Sequence, residues 1–219
     1  MMIDNRFKDA PWYSAHPDIL IGGSGGIGSN TVYCLSKSIP SRIFLVDGDN
    51  VDEHNVGTQF FRKEDIGKKK VHCIQDIMES FGSSGKVYAI PMMIDKTCYK
   101  PISISAFDNM KARRELFDIW KDREDRQIFI DGRLRATMYE VYIVTPGREE
   151  EYEKTLFEDD ASDDDLCTFK QTAHFGMLIG ARITQVLANF LTNRETKQDT
   201  TTIPFFITEL GECMYIKVA

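Results

Sequence analysis

The chain has 219 residues, 42% hydrophobic and 28% charged, and its 34 acids against 27 bases leave a formal charge of −7. That length suits one α/β domain with a real core, and the acidic balance argues against a nucleic-acid groove. The five cysteines (Cys34, Cys73, Cys98, Cys167, Cys213) are scattered without a C-x-x-C pair, which speaks against a zinc ribbon or a redox pair and fits reduced thiols in a cytoplasmic protein.

The N-terminal stretch "MMIDNRFKDAPWYSAHPD" carries acids and lacks a long apolar core, so no signal peptide is expected. No membrane span is expected either, because the best candidate, "FGMLIGARITQVLANFL", is broken by Arg182 and Gln185. Residues 18–22 predict a strand and residues 26–37 a helix. Between them Gly23, Gly25 and Gly28 fit G-x-G-x-x-G, with Gly26 as an extra glycine. In that pattern the first glycine permits the turn, the second lets a phosphate approach the backbone, and the third lets the helix lie close to the sheet. The free N–H groups of the helix start favour an anion. A second strand at 42–47 ends in Asp47, 19 positions after Gly28, the spacing at which an acid meets a ribose hydroxyl. NAD, FAD and ATP all satisfy these residues.

Residues 48–67 form a polar connection, long enough in a compact α/β unit to suggest function. A helix is predicted at 67–81, with Val71, Ile74, Ile77, Met78 and Phe81 on one face. Strands follow at 86–90 and 101–107, the latter ending at Asp108, which also reads as a possible cap of the next helix. That helix, 109–121, turns Met110, Leu116, Phe117 and Trp120 inward, and a short strand follows at 127–130. The half-polar strand at 136–146 has no helix pattern directly before it and is expected to be antiparallel. Residues 149–166 are strongly acidic and predict a solvated, mobile excursion within 147–166. A long helix at 169–192 has Gly176 and Gly180 spaced for close packing, and "TIPFFITEL" and "CMYIKVA" predict a hairpin around Gly211.

The expected fold is a single α/β domain over 1–219, a Rossmann-like mixed sheet, mainly parallel with antiparallel C-terminal strands and helices on both faces. Ligands in such sheets sit beyond the C-terminal strand ends, where Gly23–Gly28, Asp47 and Asp108 all fall.

Taken in order, G-x-G-G-I-G, D-x-D-x-V, an Asn-x-x-x-Gln loop, D-I-G-x-x-K and F-D-N-x-x-x-R resemble the ThiF/MoeB/HesA family, the adenylating core shared with ubiquitin-activating enzymes. The resemblance runs motif by motif over residues 19–113 and more loosely through Cys167 and the long helix. It implies an ATP-dependent adenylyltransferase acting with Mg²⁺ on the C-terminal carboxylate of a ubiquitin-like or sulfur-carrier protein or of a peptide. It also implies a homodimer. By the resemblance, Gly23, Gly25, Gly26 and Gly28 hold the nucleotide, Asp47 binds the ribose, and Asp49 of the same D-x-D segment also belongs to the nucleotide-binding residues. Asn55 and Gln59 match polar positions near the phosphates, Lys70 contacts the phosphates, and Asp108 binds Mg²⁺. Arg113 matches the arginine of the D-N-x-x-x-R segment. Cys167 lies in the region where some relatives carry a thioester or persulfide; neighbouring acids argue against an activated thiolate there, and a nearby helix start argues for one.

Two departures stand out. The paired C-x-x-C zinc motifs of many members are missing, so no zinc is expected. The family's Asn-Leu-x-Arg-Gln is here "NVGTQ", with Thr58 in the arginine's place. A hydroxyl cannot replace a guanidinium on a phosphate. Either Arg62 or Arg6, the latter from a partner subunit, supplies the charge, or the chain is a non-catalytic ATP-binding member. An NAD-binding Rossmann protein is the remaining alternative.

Overall fold

The computed structural model describes residues 7–82, 85–135, 138–158, 173–210 and 215–218. The strands are β1 (Asp18–Gly22), β2 (Arg42–Val46), β3 (Lys86–Ile90), β4 (Ile102–Ser105), β5 (Ile128–Arg135), β6 (Met138–Val144), β7 (Phe206–Leu210) and β8 (Tyr215–Val218). They form one sheet in the order β3-β2-β1-β4-β5-β6-β7-β8. The pairs from β3 to β5 are parallel and those from β5 to β8 antiparallel.

The parallel strands are short runs of branched residues because both of their faces are covered. The period-2 alternation of β1 sends Ile19 and Ile21 into one core layer and Leu20 into the other. The first layer is closed by α1 (Gly26–Ser38), α3 (Lys70–Ser80) and α6 (Ala173–Glu195). The second is closed by α4 (Met110–Lys121), through Leu116, Phe117 and Trp120, and by α5 (Glu149–Glu153), through Tyr152. A one-turn helix, α2 (Glu53–Val56), lies in the connection after β2.

Helices α1 and α6 pack backbone to backbone. A Cβ on Gly176 would come within 2.8 Å of the Gly26 carbonyl oxygen, and one on Gly180 within 2.8 Å of the Asn30–Thr31 peptide. By length and composition alone α6 could cross a membrane, but Ile179, Ile183, Leu187 and Leu191 are buried in the core of this fold.

The structure departs from the sequence expectation in four places. Strand β5 runs on to Arg135 rather than ending at 130, because β6 continues as an antiparallel partner from Phe129↔Val144 to Arg135↔Met138. Helix α3 starts at Lys70 rather than 67, since Gly67 has φ +84° and Lys69 bridges to Asn50. Phe81, expected on the buried face, caps the end of α3 and is 46% exposed, edge-on to Tyr33. The acidic stretch is not wholly solvated: Tyr152 is fully buried, its ring 4.6 Å from that of Phe117. Residues 159–172, with Cys167, and the turn around Gly211 lie outside the described residues.

Candidate active site

Strand order reverses between β1 and β4, which opens a crevice beyond their C-terminal ends. The glycine loop leaves β1 at that point. Gly23 has φ +91° and its N–H donates to the Val46 carbonyl at 2.9 Å. A Cβ on Gly23 would meet the Ala106 carbonyl at 2.7 Å, and one on Gly28 would lie 1.9 Å from the Gly23 carbonyl. These two glycines are therefore required by the fold itself. Gly25 differs, because the nearest atoms to its missing Cβ are those of the Gln59 amide, at 3.9 Å. It also begins α1 with no side-chain cap and no acid in the first turn, which leaves the helix N-terminus suited to an anion.

Asp47 ties the end of β2 to this loop. Its Oδ2 accepts the Ser24 N–H and hydroxyl, both at 2.8 Å, and its Oδ1 accepts the Asp49 N–H at 2.8 Å. Asp49 in turn meets Lys70, whose Nζ lies 3.1 Å from its carboxylate and whose N–H donates to its carbonyl at 3.1 Å. The Lys70 side chain is 11% exposed and that of Asp49 64%. An open cleft of about 400 Å³ adjoins them, lined by Gly48, Asp49, Asn50, Asp52 and Lys69.

The connection after β2 folds back on α1 through a Phe60 N–H to Ser29 Oγ bond of 3.3 Å. Asn55 is buried, and its Oδ1 accepts the Asp52 N–H at 2.8 Å. Gln59 follows, its N–H on the Asn55 carbonyl at 2.9 Å. The Gln59 Oε1 is buried beside Gly25 without a hydrogen-bond partner. Further along, buried Asp65 accepts the Arg62 N–H at 2.9 Å and two guanidinium bonds at 3.0 Å. Burial pushes the Asp65 carboxyl up, but the bonds from Arg62 outweigh it and hold it below the usual Asp range. Arg62 is thus committed to Asp65, and to Glu64 at 3.0 Å. Thr58 donates its N–H to the Asn55 carbonyl at 3.2 Å, and Arg6 lies outside the described residues.

Asp108 is exposed at the end of β4. Asn109, not Asp108, caps α4, with its Oδ1 accepting the Ala112 N–H at 2.8 Å while its amide donates to Asp108 at 3.2 Å. The Asp108 carboxylate is therefore not consumed by capping. As a hard oxygen donor it suits Mg²⁺, which is commonly held by one or two carboxylates and the substrate's own phosphates. No group of three or more His, Cys, Asp and Glu that could hold a metal occurs among the described residues.

Arg113 lies behind the Asp108 turn. It is buried, and its guanidinium donates to the Asp131 carboxylate, to the Gly132 carbonyl at 2.8 Å and to the Phe107 carbonyl. Sequence reasoning missed its partner Asp131, and with it Arg133 and Tyr152, which donate to the other Asp131 oxygen. The signal was present: Arg113 falls on the apolar face of α4, between Met110 and Leu116, and Asp131 and Arg133 interrupt the apolar run "IFIDGRLR". Burial pushes up the thiols of Cys34, Cys73 and Cys98, opposite to a reactive thiolate.

The crevice and sheet order place the chain in the Rossmann-like class of α/β proteins. It belongs to the ThiF family, whose family model matches residues 15–210. It is 37% identical over 108 residues to the adenylyltransferase and sulfurtransferase MOCS3-1 of Zea mays, a match covering 46% of this chain and 23% of that protein. It is 29% identical over 97 residues to ubiquitin-like modifier-activating enzyme 5 of Dictyostelium discoideum, covering 44% and 24%. The matches thus span about a quarter of these relatives' length. Among solved structures, PaaA is similar with a TM-score of 0.70 at 16% identity over 95% of this chain and 64% of that one. MccB of E. coli with ATP gives 0.66 at 17%, over 95% and 64%. Identities this low show the shared fold.

Proposed function

We propose that this chain is an ATP-dependent adenylyltransferase that activates the C-terminal carboxylate of a ubiquitin-like or sulfur-carrier protein, or of a peptide, as an acyl-adenylate. The observation that carries the reading is the meeting of the glycine loop, Asp47 and Asp108 at three adjacent strand ends, with Lys70 joined to them through Asp49. Membership of the ThiF family supports it, as do the names of the relatives in Zea mays and Dictyostelium discoideum and the ATP of the MccB structure.

In this reaction a carboxylate oxygen attacks the α-phosphorus, the bond to the bridging oxygen breaks, and pyrophosphate leaves. Both reactants are anions, so the site must neutralise and align them. The N-terminus of α1 and the backbone at Gly25 cradle phosphate, with Gly23, Gly26 and Gly28 shaping the loop. Asp47 takes the ribose with the lone pairs that Ser24 and Asp49 leave. Asn55 and Gln59 stand near the phosphates, where the unpartnered Gln59 Oε1 acquires a partner. Lys70 exchanges Asp49 for phosphate. Mg²⁺ on Asp108 would neutralise polyphosphate charge. The protein acts as a homodimer in the cytoplasm.

A second reading is favoured by Thr58, which carries no charge where the family has arginine, while Arg62 is engaged by Asp65 and Glu64. In that reading the chain binds ATP without turnover, as a partner subunit.

Calorimetric titration with Mg²⁺–ATP and with NAD⁺ tests the proposal. Mg²⁺–ATP is expected to bind, and Asp108→Ala and Lys70→Ala are each expected to weaken it tenfold or more, about 1.4 kcal/mol. Binding of NAD⁺ without ATP overturns the reading. ATP binding without carboxylate-dependent pyrophosphate release selects the second.

A further inference from the structure

We propose that Arg113 is a positioning residue for Asp108, held in place by Asp131, Arg133 and Tyr152, so that the turn after β4 is coupled to the segment after β6. The functional part of this inference rests on the nucleotide site proposed above.

Arg113 reaches the carbonyl of Phe107, the residue immediately before Asp108. Phe107 is held from its other end too: its ring occupies the space that a Cβ on Gly22 would need, 2.5 Å away. The backbone that carries Asp108 is thus clamped one residue away, while the Asp108 carboxylate itself stays exposed.

The clamp has its own support. Asp131 is fully buried, and the carboxylate oxygen not used by Arg113 accepts Arg133 Nε at 2.7 Å and the Tyr152 hydroxyl at 3.0 Å. Burial and the neighbouring Asp131 push the Tyr152 hydroxyl well above its usual range, so it stays a proton donor. Arg133 lies 4.3 Å over the Tyr142 ring and donates to the Thr155 carbonyl and hydroxyl, both at 2.9 Å. Two guanidiniums share one carboxylate, and they also donate to the carbonyls of Phe107, Gly132 and Thr155 and to the Thr155 hydroxyl.

Packing alone does not call for these charges. Phe117, Trp120, Phe129 and Tyr152 already form a continuous aromatic layer here. An apolar replacement of a buried ion pair is often as stable as the pair. What the charges add is direction, since their bonds end on backbone carbonyls in the turn before Asp108 and in the chain after α5.

The test compares full-length Arg113→Lys and Tyr152→Phe with the wild type. Amide hydrogen exchange is followed in residues 106–110, where the Ala106 N–H donates to the Gly22 carbonyl at 2.8 Å, and in β1 as an internal reference. ATP affinity is measured with Mg²⁺ and in chelator. Arg113→Lys, and more weakly Tyr152→Phe, should speed exchange in 106–110 while β1 keeps its protection. ATP affinity should fall roughly ten- to a hundredfold with Mg²⁺ and far less without it. Equal acceleration in β1, or an equal loss with and without Mg²⁺, means a packing role and overturns the inference. If Arg113→Lys does not fold, Tyr152→Phe decides by the same criteria. If wild-type protein binds no ATP, the adenylyltransferase reading falls and the exchange data alone decide the coupling.

Discussion

Gly25 precedes α1 and Gly28 lies in its first turn, three residues on, and the two are glycine for different reasons. At Gly28 a methyl group would lie 1.9 Å from a backbone oxygen, so the α1–sheet contact must open to admit it. At Gly25 a methyl group meets nothing closer than the Gln59 amide at 3.9 Å, and φ is −71°. Gly28→Ala is therefore expected to destabilise the fold by about 1–3 kcal/mol or more. Gly25→Ala should stay within about 0.5 kcal/mol of wild type, yet weaken Mg²⁺–ATP by tenfold or more because the methyl group stands where phosphate would approach. Chemical denaturation and calorimetry on the two variants check this, and equal affinities for wild type and Gly25→Ala would refute the phosphate role. The same scale settles Asp108. The sequence offered it as a cap of α4, and the geometry gives the cap to the Asn109 amide oxygen and leaves the Asp108 carboxylate open.

At the scale of elements, the connection after β2 is a built structure. Asn50 bridges to Lys69 at its two ends, Asn55 closes the first turn, and Asp65 with Arg62 closes the last. These bonds start α3 at Lys70 and bring its amine to Asp49. Asp65 has a folded pKa below its unfolded value, with the Arg62 bonds outweighing burial. Its stabilisation is therefore fully present above the unfolded value of about 4 and is lost as the pH falls through the lower folded value. Stability measured from pH 6 down to about pH 3 should decline in wild type and decline less steeply in Asp65→Asn. Identical pH profiles would show that Asp65 does not anchor the loop.

For the molecule as a whole, the glycine loop, Asp47 and Asp108 belong to loops anchored on β1, β2 and β4, three adjacent strands of the sheet. Ligand bound there stabilises every element that those strands join. Mg²⁺–ATP at a hundred times its dissociation constant should raise the unfolding free energy by about 2.7 kcal/mol, and NAD⁺ should not. Denaturant melts with each ligand test this, and a shift with NAD⁺ alone would contradict the proposed site.

The parallel half of the sheet, the glycine loop, the acid after β2 and the antiparallel tail could all be read from the residues in order. These are legible because each rests on local signals: runs of branched residues, a glycine pattern, and a strand without a helix before it. The length of β5 was not legible, since half of that strand exists through pairing with β6, and the strand at 136–146 could be read in the sequence but not the register that carries β5 on to Arg135. The burial of Tyr152 was not legible either, because a short acidic segment reads as solvated until Phe117 and Phe129 are placed beneath its ring. Arg113 shows the limit most clearly. Its place in D-N-x-x-x-R could be read in one dimension, but its partner Asp131 comes from β5, and packing in three dimensions brings Arg113 of α4, Arg133 of β5 and Tyr152 of α5 around that one buried carboxylate.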